Sequence, residues 1–188
     1  MNPANFTYSI AWTDFTEKDT SPSPPREAFT TADAKTPSSI KFTKDSNSKF
    51  IVDPSKFNVS LTMNVTNSWV VNGKQTNALL NHEQGHYNLT ALSARDMLND
   101  MLALTADTPA ELGKALSTVQ TNLQAELKSM NKMYDEDPNC GTDHGNKAGK
   151  QAQWDLRINN AMNSSTDRLS SLASCPAPPA AAAAPSTP

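Results

Sequence analysis

Histidine is scarce in this 188-residue chain, which has three, and cysteine scarcer still, with two. Two cysteines exclude a disulfide-dense scaffold and leave no spacing for a cysteine metal pair. Charge is thin as well: Asp, Glu, Lys and Arg make up 19% of residues and the formal net charge is -3. The basic residues are scattered, so no positive stripe is available for a phosphate backbone, and nucleic-acid binding is disfavoured. No apolar run approaches the roughly 20 residues that a membrane-spanning helix needs. Residues 1–12 lack the basic-then-apolar order of a secretory leader, so an exported form would carry its leader outside this sequence. With 37% hydrophobic residues and a mean hydropathy of -0.57, the chain reads as one soluble domain.

What is present divides into a strand-rich half and a helical half. Phe6, Tyr8, Ile10 and Trp12 alternate with polar or small residues, the period of a half-buried strand. Residues 20–37 hold four prolines and no period, and read as a loop. Ile40 and Phe42 suggest a strand that pairs with Phe50–Val52 across a polar turn. Phe57, Val59, Leu61, Met63 and Val65 alternate without a break, and Trp69–Val71 ends at the turn pair Asn72-Gly73. The expectation is a small antiparallel sheet. From Thr76 or Asn77 the period becomes helical through residue 104. Thr108-Pro109-Ala110-Glu111 is a capping box with proline at the first helical position, opening a second helix with the stripe Leu112, Leu116, Val119, Leu123, Leu127, Met130 and Tyr134. Residues 135–145 read as a loop and 146–173 as a third helix with a weak point at 163–166. The fold class expected is α+β, a small antiparallel sheet followed by three long helices over residues 1–175. A disordered Pro/Ala-rich tail follows at 176–188.

Two of the three histidines fall in Asn81-His82-Glu83-Gln84-Gly85-His86. Four residues apart on a helix, His82 and His86 share a face and can offer ring nitrogens to one ion, for which Zn2+ is the natural choice. Glu83 is placed to take a proton from a water activated at that ion, the HExxH arrangement. Gly85 inside a helix costs about 1 kcal/mol relative to alanine, which suggests that something needs the space. The alternative is a surface histidine pair in an amphipathic helix, but here both lie on the inward stripe. Leu89 and Leu92 exclude the metzincin extension. The third ligand is expected to be His144 in its glycine-flanked loop, with Asp143 or Glu126 as alternatives; an exposed, helix-capping role is the plain reading of His144. Tyr134 is the first candidate for an oxyanion donor, ahead of Arg95 and Tyr87, although it also continues the core stripe. Asp143 or Asp96 could fix a ligand tautomer. Cys140 and Cys175 invite a disulfide, yet an unbroken third helix of about 27 residues would span roughly 40 Å and hold them apart. Either that helix breaks near 163–166 or the thiols stay unpaired.

Taken with Trp12-Thr13-Asp14-Phe15, Ser68-Trp69-Val70, His82 through Tyr87, Ala94-Arg95, Tyr134-Asp135, Thr142-Asp143-His144-Gly145, Gln151 and Trp154, the chain resembles a known family over most of residues 6–160. It is the bacterial domain-of-unknown-function family regarded as secreted zinc-dependent proteases. The resemblance implies a zincin-like metallopeptidase, secreted or periplasmic, with His82, His86 and His144 as zinc ligands and Glu83 as general base. Tyr87, where phenylalanine is usual, and the loop 137–141 with Cys140 depart from the family pattern. The function expected is hydrolysis of peptide bonds in a protein or peptide substrate. The rivals are a non-catalytic zinc-binding module, in which a fourth protein ligand closes the site, and a zinc amidase acting on cell-wall peptide.

Overall fold

Thr76 has an extended backbone and its hydroxyl accepts the Leu79 N–H, which ends the strand-rich half and opens α1 (Asn77–Ala103). In this computed structural model, which describes residues 6–175, α1 is the axis of the molecule. Residues 89–98 are all buried, more than one stripe of a surface helix would bury. α2 (Pro109–Glu136) starts at the reciprocal Thr108–Glu111 capping box and lays Leu112, Leu116, Leu123, Met130 and Tyr134 inward. α3 (Ala148–Asn163) packs with Trp154, Ile158 and Ala161 buried. The helix expected to reach residue 173 stops ten residues earlier. Ser164 Oγ accepts the N–H groups of Thr166 and Asp167, so short polar side chains take over the backbone's bonding there. The chain reverses, a 3-10 turn at Leu169–Leu172 buries both leucines, and Cys175 meets Cys140 in a disulfide with Cα atoms 5.5 Å apart. The break at 163–166 is what allows the pairing.

Among the described residues the strands form three small sheets rather than one. β1 (Thr16–Lys18), β7 (Trp69–Val71) and β2 (Ala28–Phe29) are ordered β1-β7-β2, with β1 parallel and β2 antiparallel to β7. β3 (Ala32–Lys35) pairs antiparallel with β6 (Ser60–Met63), and β4 (Phe42–Lys44) with β5 (Phe50–Val52). The α+β class holds, while the wholly antiparallel sheet is corrected by the parallel β1–β7 pair. The N-terminal alternation does not make a strand. The Ile10 N–H donates to Gln84 Oε1, and Gln84 Nε2 donates to the Tyr8 carbonyl, so a side chain of α1 takes the bonds that a neighbouring strand would have used. Residues 20–37, expected to be a loop, contain β2 and β3, which are too short to set a period. The long alternation at 57–66 pairs only at Ser60–Met63, because Asn64 turns the chain by accepting the N–H groups of Asn67 and Ser68. The expected tail at 176–188 lies outside the described residues. Among those described, no helix is long and apolar enough to cross a membrane.

Candidate metal centre

His82 and His86 face α2 from the first half of α1, and the groups behind them fix their tautomers. Gln151 Nε2 donates to Asp155 Oδ1 at 2.7 Å and to the Tyr134 hydroxyl at 2.6 Å, which turns its Oε1 toward His82 Nδ1 at 3.2 Å. The Thr142 hydroxyl donates to the Tyr134 carbonyl and so also presents an acceptor to that nitrogen, at 3.3 Å. Asn131 Nδ2 donates to the Leu127 carbonyl, leaving its Oδ1 against His86 Nδ1 at 2.6 Å. Both Nδ1 atoms therefore carry protons, and on the neutral imidazoles both Nε2 atoms present lone pairs. The two Nε2 atoms lie 3.2 Å apart.

Between them stands Asp135, on the last turn of α2. Its Oδ1 is 3.2 Å from His82 Nε2 and 2.9 Å from His86 Nε2, and no hydrogen-bond donor among the described residues satisfies it. Three buried acceptors converging on one another require a positive charge. In the metal-free protein a proton on His86 supplies it. Burial pushes that imidazole down, but the Asp135 charge and hydrogen bond outweigh it and raise the pKa to about 9. Burial pushes the Asp135 carboxyl up, and the His86 charge with the two imidazoles that face it holds it well below the usual carboxylate range.

The loop after α2 brings in the third histidine. The Thr142 N–H donates to the Tyr134 carbonyl at 2.7 Å and the Asp143 N–H to the Asp135 carbonyl at 2.8 Å, so the loop folds back along the helix end. Asp143, His144 and Gly145 then follow one another at φ 54°, 52° and 84°. For the first two this left-handed backbone costs on the order of 1 kcal/mol each. A Cβ on Gly145 would come within 2.9 Å of His82 Cβ. His144 Nδ1 reaches the other oxygen of Asp135 at 3.6 Å. Ligand atoms of His82, Asp135 and His144 all lie within 4.8 Å of one another, a group able to hold a metal ion.

Glu83 is 2% exposed, beside the histidines, and its Oε2 has no hydrogen-bond partner among the described residues. A cavity of about 470 Å³ opens beside His86 and Asp135, with Arg26 and Phe29 on one wall and residues of α2 on the other. Arg26 Nη2 lies 3.4 Å from Asp135 Oδ2.

The structure thus brings together His82, Glu83, His86 and His144. Tyr134 is close by, but its hydroxyl donates to the His82 carbonyl at 3.1 Å and accepts from Gln151, while its ring stacks on His82 at 4.8 Å. Fully buried with both bonding roles taken, it positions α1 and leaves no proton for an oxyanion. Gly85 makes room for this phenol: a methyl there would land on its hydroxyl. The other candidates lie elsewhere. Asp143 is exposed, and Glu126 sits in the field of Asp96, Asp100 and Arg168. Arg95 donates to the carbonyls of Ala161, Ser164 and Asp167, and Asp96 accepts the Leu169 N–H. Tyr87 packs against Tyr8. Sequence reasoning missed Asp135 as a donor by ending the second helix at Tyr134, two residues early. The spacing of Asn131 and Asp135, four apart beside the Met130–Tyr134 stripe, was the available signal.

Residues 7–145 match the family described as "Bacterial protein of unknown function (DUF922)". The chain belongs to this family. The DUF922 match takes in His82, Glu83, His86, Asp135 and His144, every polar group at the candidate centre except Gln151 and Asp155 of α3. No curated protein and no solved structure matches the chain.

Proposed function

We propose that the chain is a zincin-like, zinc-dependent hydrolase of peptide bonds that works outside the bacterial cytoplasm. The observation that carries this reading is the convergence of His82 Nε2, His86 Nε2 and Asp135 Oδ1 within 3.2 Å of one another, with the protons of both imidazoles held on the far side. Donors about 2.0 to 2.1 Å from a tetrahedral zinc are about 3.3 Å apart, so the spacing suits that ion. Zinc, when bound, supplies Lewis acidity toward a carbonyl oxygen and makes a water nucleophilic near neutral pH. Glu83, buried with Oε2 unpartnered, would accept a proton from a water activated there and return it to the leaving amine. Gln151 and Asn131 hold the imidazoles in their ligating tautomer, and Tyr134 holds the backbone of His82. The disulfide supports an oxidising compartment.

Four protein donors favour a second reading. His82, Asp135 and His144 form one metal-capable group; with His86, whose Nε2 lies 2.9 Å from Asp135, engaged as well, the site closes and the domain is a zinc-binding interaction module. His144 is the donor that divides the two, since its ring is 6.3 Å from His82 where that of His86 is 4.8 Å away. In the hydrolase, zinc analysis finds one ion per chain in wild type and in Glu83→Gln. Chelator-sensitive cleavage of a peptide library is present in the first and reduced by a factor of about 100 or more in the second. Stoichiometric zinc with no cleavage of any peptide, or undiminished cleavage by Glu83→Gln, overturns the hydrolase.

A further inference from the structure

On the proposed hydrolase reading, the cavity beside His86 and Asp135 carries a charge pattern that points to the substrate. Lys128 and Lys132 stand four residues apart on α2, on the face that also presents Asn131 and Asp135. Both lysines are exposed, and among the described residues neither makes an ion pair, so this like-charged pair lines one wall with its charge directed at no acid within 4 Å. Such a pair weakens its helix unless an anion joins it. Arg26 faces them from the segment before β2. Its guanidinium lies 5.5 Å above the Phe29 ring and is held only by long contacts, 3.4 Å to Asp135 Oδ2 and 3.7 Å to Glu136 Oε1. Once an ion in the cradle neutralises Asp135, Glu136 is the single anion left against three cations. The wall at Phe29, 39% exposed, is apolar.

We infer that this cavity is a carboxylate subsite, in which Arg26, Lys128 and Lys132 receive an anionic group of the peptide while Phe29 receives the apolar residue next to it. Arg26 gives the planar fork that matches a carboxylate, and the lysines give point charges that draw the anion in. The carboxylate belongs either to the chain end, making the enzyme a trimmer of C-termini, or to an acidic side chain beside the scissile bond. Both sources share the chemistry, and the binding assay separates them.

The test titrates metal-stripped wild type and zinc-loaded Glu83→Gln with three acetylated peptides. They are Gly-Ala-Leu with a free C-terminus, its C-terminal amide, and the amide of Gly-Glu-Leu. One or both carboxylate peptides bind about tenfold or more tightly than the neutral amide, and salt weakens the preference. Arg26→Met, and separately Lys128→Met with Lys132→Met, bring the preference toward unity while zinc content stays that of wild type. The two lysines are exposed, so the second variant tests the subsite without touching the core. Equal binding of all three peptides, or a preference that survives both variants, overturns the inference. Cleavage of peptides by wild type without any carboxylate preference removes the subsite and leaves the hydrolase. A preference that persists in protein which cleaves nothing does the reverse.

Discussion

Two imidazoles whose Nε2 atoms both face one carboxylate make a charged, pH-dependent centre. In the metal-free protein His86 holds its proton to about pH 9, above its ordinary 6.5. The folded state binds that proton more tightly than the unfolded chain does. The stability it gives is complete below about 6.5 and lost as pH rises through about 9. Asp135 is displaced the other way, so its contribution is present above about 3.8 and lost on acidification. Denaturation midpoints in chelator between pH 3 and about 10 should therefore fall at both ends. Zinc must displace the His86 proton, so its apparent affinity rises with pH up to about 9, and a pH-independent affinity would refute the assignment. Gly85 gives a second residue-scale prediction. Its alanine variant gains about 1 kcal/mol of helix propensity but drives a methyl to 2.6 Å from Tyr134 Cζ, for a net loss of roughly 1 to 3 kcal/mol in chemical denaturation. Gly113→Ala, with nothing within 4 Å, should instead stabilise. The spacing of His82, Glu83 and His86 was legible because a helix converts sequence interval into direction. The tautomers were not, since they depend on Asn131 and Gln151 from two other helices.

The element that assembles the centre is the loop between α2 and α3. It is tied to α2 by the Thr142 and Asp143 N–H groups, to α3 by the Trp154 indole donating to the Cys140 carbonyl at 2.9 Å, and to the C-terminal segment by the Cys140–Cys175 bond. That bond spans 35 residues, and its removal in Cys140→Ser with Cys175→Ser should cost about 3 to 4 kcal/mol. Because the freed loop carries His144 and braces Asp135, the same variant should bind zinc more weakly, which titration against a competing chelator measures. Unchanged zinc affinity would show that the hydrogen bonds alone hold the loop. The helix starts were legible at Thr76 and Thr108, where a side chain and its backbone partner lie within one turn. The end of α3 was legible only as a weak point, because what stops it is a return of the chain that buries Leu169 and Leu172.

Across the whole molecule, the candidate centre joins α1, α2 and the loop that enters α3, so an ion bound there resists separation of all three. Zinc in excess should raise the unfolding temperature, by an amount equivalent to about 2.7 kcal/mol when free zinc is a hundredfold above its dissociation constant, and chelator should reverse the shift. His86→Ala should lose that response. A zinc-independent unfolding temperature in wild type would contradict the cradle. Of the three sheets formed by the described strands, α1 packs against strands of each through β2, β3, β5 and β6, and Gln84 takes up the backbone bonds of Tyr8 and Ile10 beside them.

The order of the residues by itself determined the α+β class, the two capped helices, the shared face of His82 and His86, and the place of Glu83 beside them. All of these are short-range, set by rotation per residue and by caps within one turn. Tertiary structure decided the rest: the parallel β1–β7 pair, the reversal after α3, the meeting of Cys140 with Cys175, and Asp135 as the acid between two imidazoles. Each of these joins segments far apart in the chain, and no local period encodes which distant polar group will face a buried charge. Burial makes that choice, because an unpartnered ionised group in the interior costs more than the backbone strain needed to bring it a partner.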